Sequence, residues 1–81
     1  MIAITIVFFG ALKSFFGSSM HMEVDADTKL AEIVHKLGKA KPEAMPIIKQ
    51  CQLAVNSEIE GYDFVIHEAC EIAILPPFSG G

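Results

Sequence analysis

The sequence contains no arginine and no tryptophan, and only two cysteines and three histidines occur among its 81 residues. Arginine is the side chain best suited to hold phosphate groups through two parallel hydrogen bonds. The chain also lacks a P-loop and has no Gly-x-Gly-x-x-Gly motif after a strand. It therefore shows no binding site of its own for ATP or a dinucleotide, and any ATP chemistry requires a partner that binds the nucleotide.

The cysteines and histidines do not form a recognisable metal-binding or catalytic set. Cys51 and Cys70 follow no Cys-x-x-Cys spacing, and His21, His35 and His67 are scattered along the chain. We therefore predict no metal site, and we expect two buried free thiols rather than a disulfide. A cysteine nucleophile with a histidine base stays open as an alternative, although no spacing brings the two groups together.

Basic residues are missing from the C-terminal part of the sequence. All six lysines lie at or before Lys49, whereas residues 50–81 contain five acidic residues and no base, within a net charge of −4. The five acidic residues are Glu58, Glu60, Asp63, Glu68 and Glu71. This surface argues against nucleic acid and anionic membranes as partners and favours a basic protein surface. A merely solvated acidic surface explains the same feature equally well.

Length and hydrophobicity indicate one domain that folds by itself. Apolar residues make up 52% of the sequence, which is enough to bury a core, and 81 residues leave no room for a second domain. The apolar residues 1–12 are too few to span a bilayer, and they lack the basic residues and the cleavage site of a signal peptide. We therefore expect a cytoplasmic protein.

Alternation and residue type predict the strands. The first strand is rich in β-branched and aromatic residues, and its larger apolar side chains stand at even positions, so Phe9 is predicted to face away from the core. The last strand ends at Pro76 because proline cannot donate a ladder hydrogen bond. The predicted extended segments are residues 2–9, 20–25, 47–56, 64–66 and 71–75, with a loop over residues 56–63.

A main helix is predicted between the second and third strands. Its apolar stripe at i, i+3, i+4 and i+7 consists of Leu30, Ile33, Val34 and Leu37. Asp27 or Thr28 is predicted to cap the start of this helix and Gly38 to end it. The spacing of Leu12, Phe15 and Phe16 predicts one further helical turn under the sheet.

This order of elements predicts an α+β fold in which one main helix packs on one face of a mixed sheet, the β-grasp (ubiquitin-like) arrangement. The helix supplies the long crossover that lets the first and last strands pair in parallel at the centre. We assign residues 1–75 to this domain and residues 76–81 to an extended C-terminal tail.

The tail consists of Pro76, Pro77, Phe78, Ser79, Gly80 and Gly81. The two prolines keep the chain extended, so they act as a semi-rigid spacer. The two glycines have no side chain and suit a narrow channel. A terminal carboxylate becomes reactive only when one oxygen is converted into a leaving group, as adenylation does. A Gly-Gly ending on its own is more simply a disordered terminus, but the preceding residues favour a function here.

The strand 72–75 followed by Pro-Pro-Phe-Ser-Gly-Gly resembles the small subunit of molybdopterin synthase, a MoaD-type ubiquitin-like sulfur carrier. The likeness covers nearly the whole chain, and the final Pro-Pro-x-Ser-Gly-Gly is its most specific part. Supporting features are Phe8-Phe9 at the end of the first strand, the Ala54-Val55-Asn56 step and the overall length. Where the family usually has an Asp-Gly-Asp-like turn before the last strand, this chain has Glu68-Ala69-Cys70-Glu71.

The resemblance implies that an E1-like adenylyltransferase adenylates Gly81, with ATP bound by that partner, and that a sulfur donor protein converts Gly81 to a thiocarboxylate. The tail would then deliver sulfur inside the large subunit, where a pyranopterin precursor becomes the dithiolene molybdopterin. Catalytic side chains would belong to the large subunit, which the family pairs with the carrier in a heterotetramer. Phe9, Ile59 and Leu75 match apolar positions that contact the partner; ordinary loop packing is the alternative for Ile59.

Three other functions remain open on sequence grounds. A sulfur carrier of another pathway, such as thiamine synthesis, shares the fold and the chemistry but is not expected to carry Pro-Pro-Phe-Ser before Gly-Gly. A ubiquitin-like protein modifier would join its terminus to lysines. An interaction domain would carry an inert terminus.

Overall fold

A computed structural model describes residues 1–77 of the chain. The predicted positions Phe78, Ser79, Gly80 and Gly81 lie outside the described residues. The tail is therefore followed structurally only through its first two residues, Pro76 and Pro77.

Seven strands and three helices form the described part of the chain. The strands are β1 (Ile2–Phe8), β2 (Ser19–Val24), β3 (Thr28–Lys29), β4 (Gln52–Val55), β5 (Glu58–Glu60), β6 (Val65–Ile66) and β7 (Cys70–Leu75). The helices are α1 (Lys13–Phe16), α2 (Leu30–Ala40) and α3 (Met45–Ile48), with 3-10 turns at Gly10–Leu12 and Pro42–Ala44. Among residues 1–77, no helix combines the length and the apolar composition needed to cross a membrane.

A five-stranded mixed sheet has the order β2-β1-β7-β4-β5, and β3 pairs with β6 in a separate two-stranded sheet. β1 and β7 are neighbours at the centre and run parallel, with Ile6 opposite Ile72 and Phe8 opposite Ile74. The predicted central pairing of the first and last strands is confirmed. As a result, β7 is hydrogen-bonded on both sides, to β1 and to β4, up to the point where the tail begins.

The core lies between the large sheet and α2. The even-numbered residues of β1 from Ile4 onward are buried, and so are the helix residues of the predicted stripe. The helical turn α1 closes the end of this core, because the ring of Phe16 stacks on that of Phe8 with centroids 4.7 Å apart. The predicted inward and outward faces of β1 are therefore confirmed.

The predicted ends of the main helix were wrong. Its N-cap is Lys29, whose backbone N–H donates to Glu32 Oε2 at 3.0 Å, while Thr28 belongs to β3 and donates its hydroxyl to the carbonyl oxygen of Asp25 at 2.7 Å. Gly38 does not end the helix. It is a buried residue within α2. A β-carbon at this position would overlap the side chain of Met45, so glycine permits close packing of α2 on α3.

The predicted extended segment over residues 47–56 was too long, and the predicted loop over residues 56–63 hid a strand. Pro42 and Pro46 stand in the first turns of the short helices that precede β4, where proline is tolerated because its missing N–H would be unpaired anyway. The strand β5 was missed since its three residues include two glutamates and give no recognisable alternation.

Candidate functional site

The side of the large sheet that faces away from α2, here called the outer face, has an apolar row across four strands. Val7, Ala73, Ala54 and Ile59 are successive Cα partners in the sheet, so their side chains project on one side. Ile59 is 56% exposed. Ile59 lies in the strand β5, where it pairs with Ala54 of β4. The alternative of loop packing for Ile59 is therefore wrong.

A second apolar row lies one step closer to the tail. Phe9 and Leu75 directly follow the Phe8–Ile74 pair of the parallel strands, and Leu75 is paired with Gln52 on its other side. Phe9 is 40% exposed and Leu75 is half-buried. The structure thus brings the three predicted interface positions, Phe9, Ile59 and Leu75, onto one face of the sheet. Together with Val7, Ala54 and Ala73, these three residues form the apolar half of the outer face.

The remainder of the outer face is polar. Thr5 lies between His21 and Glu71 in the sheet, and Thr5 Oγ1 is 3.2 Å from His21 Nδ1. The next pair toward the start of β1 is Ala3 with Glu23. The apolar half therefore occupies the end of the sheet at which β7 stops and the tail departs, and the polar half occupies the opposite end.

The first residue of the tail contacts the loop that follows β1. Pro76 is half-buried, whereas Pro77 is exposed. Gly10 has a positive φ of 60°, and a β-carbon built on it would lie 3.4 Å from Pro76 Cγ. The chain thus leaves the sheet along Gly10 and enters solvent at Pro77.

Asn56 holds the other end of β7, where the Glu68-Ala69-Cys70-Glu71 segment replaces the family's usual turn. The backbone N–H of Glu71 donates to Asn56 Oδ1 at 3.0 Å, and the N–H of Asn56 donates to the carbonyl oxygen of Glu71 at 2.8 Å. Asn56 begins the turn between β4 and β5 with a φ of 48°, which asparagine tolerates better than most residues. One residue therefore both makes the hairpin turn and anchors the strand from which the tail emerges.

Replacing Asn56 by alanine is expected to lower the free energy of unfolding by about 2 kcal/mol. About 1 kcal/mol comes from the lost side-chain hydrogen bond, and about 1 kcal/mol from holding alanine at a positive φ, which alanine tolerates less well than asparagine does. Urea denaturation of the purified chain measures the change. Asn56→Asp is the control, because aspartate keeps an oxygen acceptor and tolerates positive φ; equal losses in the two variants would contradict this role.

The two cysteines are free, as predicted, but the expectation that both are buried is wrong for Cys70, which is only partly buried. Cys51 is buried and its Sγ donates to the carbonyl oxygen of Ile47 at 3.2 Å. Burial raises the pKa of the Cys51 thiol; burial, with a smaller contribution from the charge of Glu68, raises the pKa of the Cys70 thiol. Raised pKa values disfavour the thiolate, so neither cysteine has the character of a nucleophile. Within residues 1–77 no group of three side chains is placed to hold a metal ion.

Sequence reasoning missed Gly10 and Asn56 as residues that hold β7 and the tail. The signal for Asn56 was the Asn-Ser pair between two extended segments, which is typical of a hairpin turn with positive φ. The signal for Gly10 was a glycine directly after a strand, but no pattern reveals that its neighbour in space is Pro76. Such a contact depends on the parallel pairing of β1 with β7.

Solved structures with the same fold cover nearly the whole chain. A putative molybdopterin converting factor subunit 1 from Pyrococcus furiosus matches with a TM-score of 0.84 at 12% identity, covering 95% of this chain and 99% of that chain. The small archaeal modifier protein 1 of Haloferax volcanii matches with a TM-score of 0.81 at 19% identity, with 95% and 99% covered. A chain in the complex of subunits 1 and 2 of molybdopterin-converting factor from Helicobacter pylori 26695 matches with a TM-score of 0.71 at 20% identity, with 99% and 100% covered. The fold is a ubiquitin-like β-grasp, as predicted.

The family assignment comes from the sequence itself. A comparison with protein-family models matches residues 6–81 to the ThiS family, whereas a search of curated protein sequences gives no significant match. The chain belongs to the ThiS family, a group of ThiS-like and MoaD-like domains. The resemblance to MoaD-type carriers is thereby confirmed at the level of the family.

Proposed function

We propose that this chain is the sulfur carrier subunit of a molybdopterin synthase and that Gly81 carries the sulfur as a thiocarboxylate. The observation that carries the proposal is the position of β7. This strand is paired on both sides at the centre of the sheet, borders the apolar half of the outer face, and runs directly into Pro-Pro-Phe-Ser-Gly-Gly. The family match over residues 6–81 supports the same class of function.

Gly81 supplies the reactive group, and partners supply the rest of the chemistry. A carboxylate oxygen of Gly81 attacks the α-phosphorus of ATP on an E1-like adenylyltransferase, and pyrophosphate leaves. Sulfide supplied by a donor protein then attacks the acyl carbon, the bond to AMP breaks, AMP leaves with the bonding electrons, and the thiocarboxylate forms without any change of oxidation state. The lack of arginine and of a P-loop in the sequence supports ATP binding by the partner. The proposal requires that Gly81 bear the terminal carboxylate in the functional protein.

The apolar half of the outer face is the proposed contact with the large subunit. Its exposed members Phe9 and Ile59 and the half-buried Leu75 form an apolar area beside the start of the tail. Docking there would direct residues 76–81 into the partner's active site. The burial of apolar surface would offset the entropy lost when the tail becomes ordered. The Helicobacter pylori complex of subunits 1 and 2 supports such a partner by analogy. We propose a heterotetramer with this partner, as the resemblance implies.

The charge distribution supports protein partners with basic surfaces. Five carboxylates and no base lie in residues 50–81, close in sequence to the proposed contact, so a basic docking surface would be steered toward this end of the chain. Nucleic acid and anionic membranes are not proposed as partners. We propose a cytoplasmic location, because a reducing environment would keep Cys51 and Cys70 as the free thiols seen in the structure.

Two other functions of the same fold have support. The similarity to the small archaeal modifier protein 1 favours a modifier that joins its terminus to lysines. The ThiS family match favours a sulfur carrier for another pathway such as thiamine synthesis. Both use the terminal glycine, but they differ from the proposed function in the product.

Mass spectrometry of the full chain incubated with its E1-like partner, ATP and a sulfur donor tests the proposal. We expect one terminal oxygen to be replaced by sulfur, and addition of the large subunit with a pyranopterin precursor to return the terminus to a carboxylate as molybdopterin forms. An isopeptide bond to lysine would support the modifier instead. Thiocarboxylate that is not consumed by the large subunit would support the carrier of another pathway, and an unchanged terminus would exclude all three.

A further inference from the structure

We infer that Gly10 is a positioning residue for the tail: its bare backbone accommodates the ring of Pro76 and thereby sets the direction in which the chain leaves the sheet at Pro76 and Pro77. The inference rests on the proposed function, since it assigns a role in presenting Gly81 to partner active sites. It concerns a residue outside both the tail and the apolar half of the outer face.

The geometry begins with the end of β1. The parallel pairing of β1 with β7 reaches Phe8 and Ile74; β1 then leaves the ladder, whereas Leu75 of β7 is still paired with Gln52 of β4. β1 turns away through Phe9 into the 3-10 turn Gly10–Leu12, whose last residue is fully buried. β7 continues straight on into Pro76. The turn after β1 is therefore anchored in the core through Leu12, and it lies beside Pro76, the first residue of the tail.

Two features of position 10 favour glycine. Its φ of +60° lies in the region that L side chains rarely adopt. In addition, a β-carbon there would stand 3.4 Å from Pro76 Cγ, which is an ordinary contact distance, so alanine would just fit against the ring and a longer side chain would compete with the ring for space. Gly17 also has a positive φ, of 82°, but a β-carbon on Gly17 would meet nothing within 4 Å. Of these two glycines, Gly10 is therefore the one at which an added side chain would meet Pro76.

The two prolines of the tail differ in exposure, and Pro76 is the one that lies beside Gly10. Pro76 is half-buried against the loop and Pro77 is exposed. Because each proline ring restricts its own φ and biases the preceding residue toward extended conformations, a fixed Pro76 ring also limits where Pro77 points. A displaced ring would redirect the rest of the tail, and a misplacement of about 1 Å can cost roughly 100-fold in rate.

The experiment compares asparagine at three glycine positions in the full chain. Asparagine tolerates positive φ better than most side chains, so Gly10→Asn mainly adds bulk against Pro76. Gly17→Asn adds backbone strain without a neighbour, because the φ of 82° and ψ of −173° at Gly17 lie in a region that is essentially restricted to glycine. Gly61→Asn adds the same side chain in open space at ordinary φ. The readouts are kcat and KM for thiocarboxylate formation, the thermal unfolding of each variant, and the nuclear Overhauser effect between the α-protons of Gly10 and the ring protons of Pro76 in the unmodified chain.

We expect Gly10→Asn to lower kcat by about 10- to 100-fold with little change in KM, while Gly61→Asn leaves both unchanged. Gly17→Asn is expected to lower thermal stability but to keep kcat, measured below its unfolding transition. In a Pro76→Ala background, Gly10→Asn should have little further effect, because the ring it displaces is absent.

Equal kcat values for the Gly10→Asn and Gly17→Asn variants, or a full additional loss in the Pro76→Ala background, would overturn the inference. So would the absence of the Gly10–Pro76 Overhauser effect in the unmodified chain, which needs no partner enzyme. If the unmodified chain shows this effect but is never thiocarboxylated, the proposed function fails while the geometric contact stands. The two failures are therefore distinguishable.

Discussion

One residue added after Gly81, or the removal of Gly81, is expected to abolish sulfur transfer while leaving the domain folded. Extension converts the carboxylate of Gly81 into a peptide bond. The new terminal carboxylate then lies one residue further from the folded domain than the partner's active site requires. Deletion shortens the reach by about 3 Å, one extended residue. Since misplacement by about 1 Å can cost roughly 100-fold in rate, either change should remove measurable transfer. Intact-mass analysis of the terminus and molybdopterin formation measure it.

An extra residue before Met1 is the matched control for the extended chain. Met1 is 81% exposed and precedes β1, and because β1 and β7 run parallel, the N-terminus lies at the opposite end of the sheet from the tail. This extension adds the same mass without approaching the tail or the apolar half, and it should leave transfer intact. Circular dichroism of all variants should match the unmodified chain. Sulfur transfer by the chain extended after Gly81 would refute the tail mechanism.

The sequence was informative wherever a periodic pattern coincided with burial. The alternation in β1 revealed the core-facing Ile4, Ile6 and Phe8, and from it followed that Phe9 lies on the outer face. The stripe of α2 predicted its buried residues, because a helix that packs on a sheet must bury one side. The central parallel pairing followed from the order of elements and the length of the crossover. These features determine the fold and one face of the candidate site.

Features that depend on one neighbour in space could not be predicted from the sequence. Gly38 resembles a helix end in the sequence, but its neighbour in space is Met45 of α3, seven positions further along the chain. Asn56 contacts Glu71, and Gly10 contacts Pro76, across strands that are distant in sequence. Local propensity does not record such tertiary contacts, so the means by which β7 is held at both ends emerged only from the folded structure.

Replacing Ile59 by serine is expected to weaken binding to the large subunit by about 30-fold, which corresponds to the roughly 2 kcal/mol of an interface hot spot. Ile59 is 56% exposed on β5, away from the tail, so its loss removes apolar contact area without altering residues 76–81. The effect should therefore appear in the dissociation constant and in KM, with kcat unchanged. Isothermal titration calorimetry with the large subunit and steady-state kinetics measure these quantities.

Tyr62→Ser is the control, because the chain offers a second exposed apolar residue that is not part of the outer face. Tyr62 is 42% exposed, and its carbonyl oxygen accepts a hydrogen bond from the N–H of Ala31 in the first turn of α2, which packs on the other face of the sheet. It should bind the large subunit as the unmodified chain does. An affinity loss that is equal in the two variants would mean that binding responds to surface polarity in general, and unchanged affinity of the Ile59 variant would exclude the apolar half as the docking surface. A fall in kcat with unchanged affinity would instead mean that Ile59 helps to position the tail. That result would contradict the proposed division of roles, in which the sheet face binds the partner and the terminal glycine carries the sulfur.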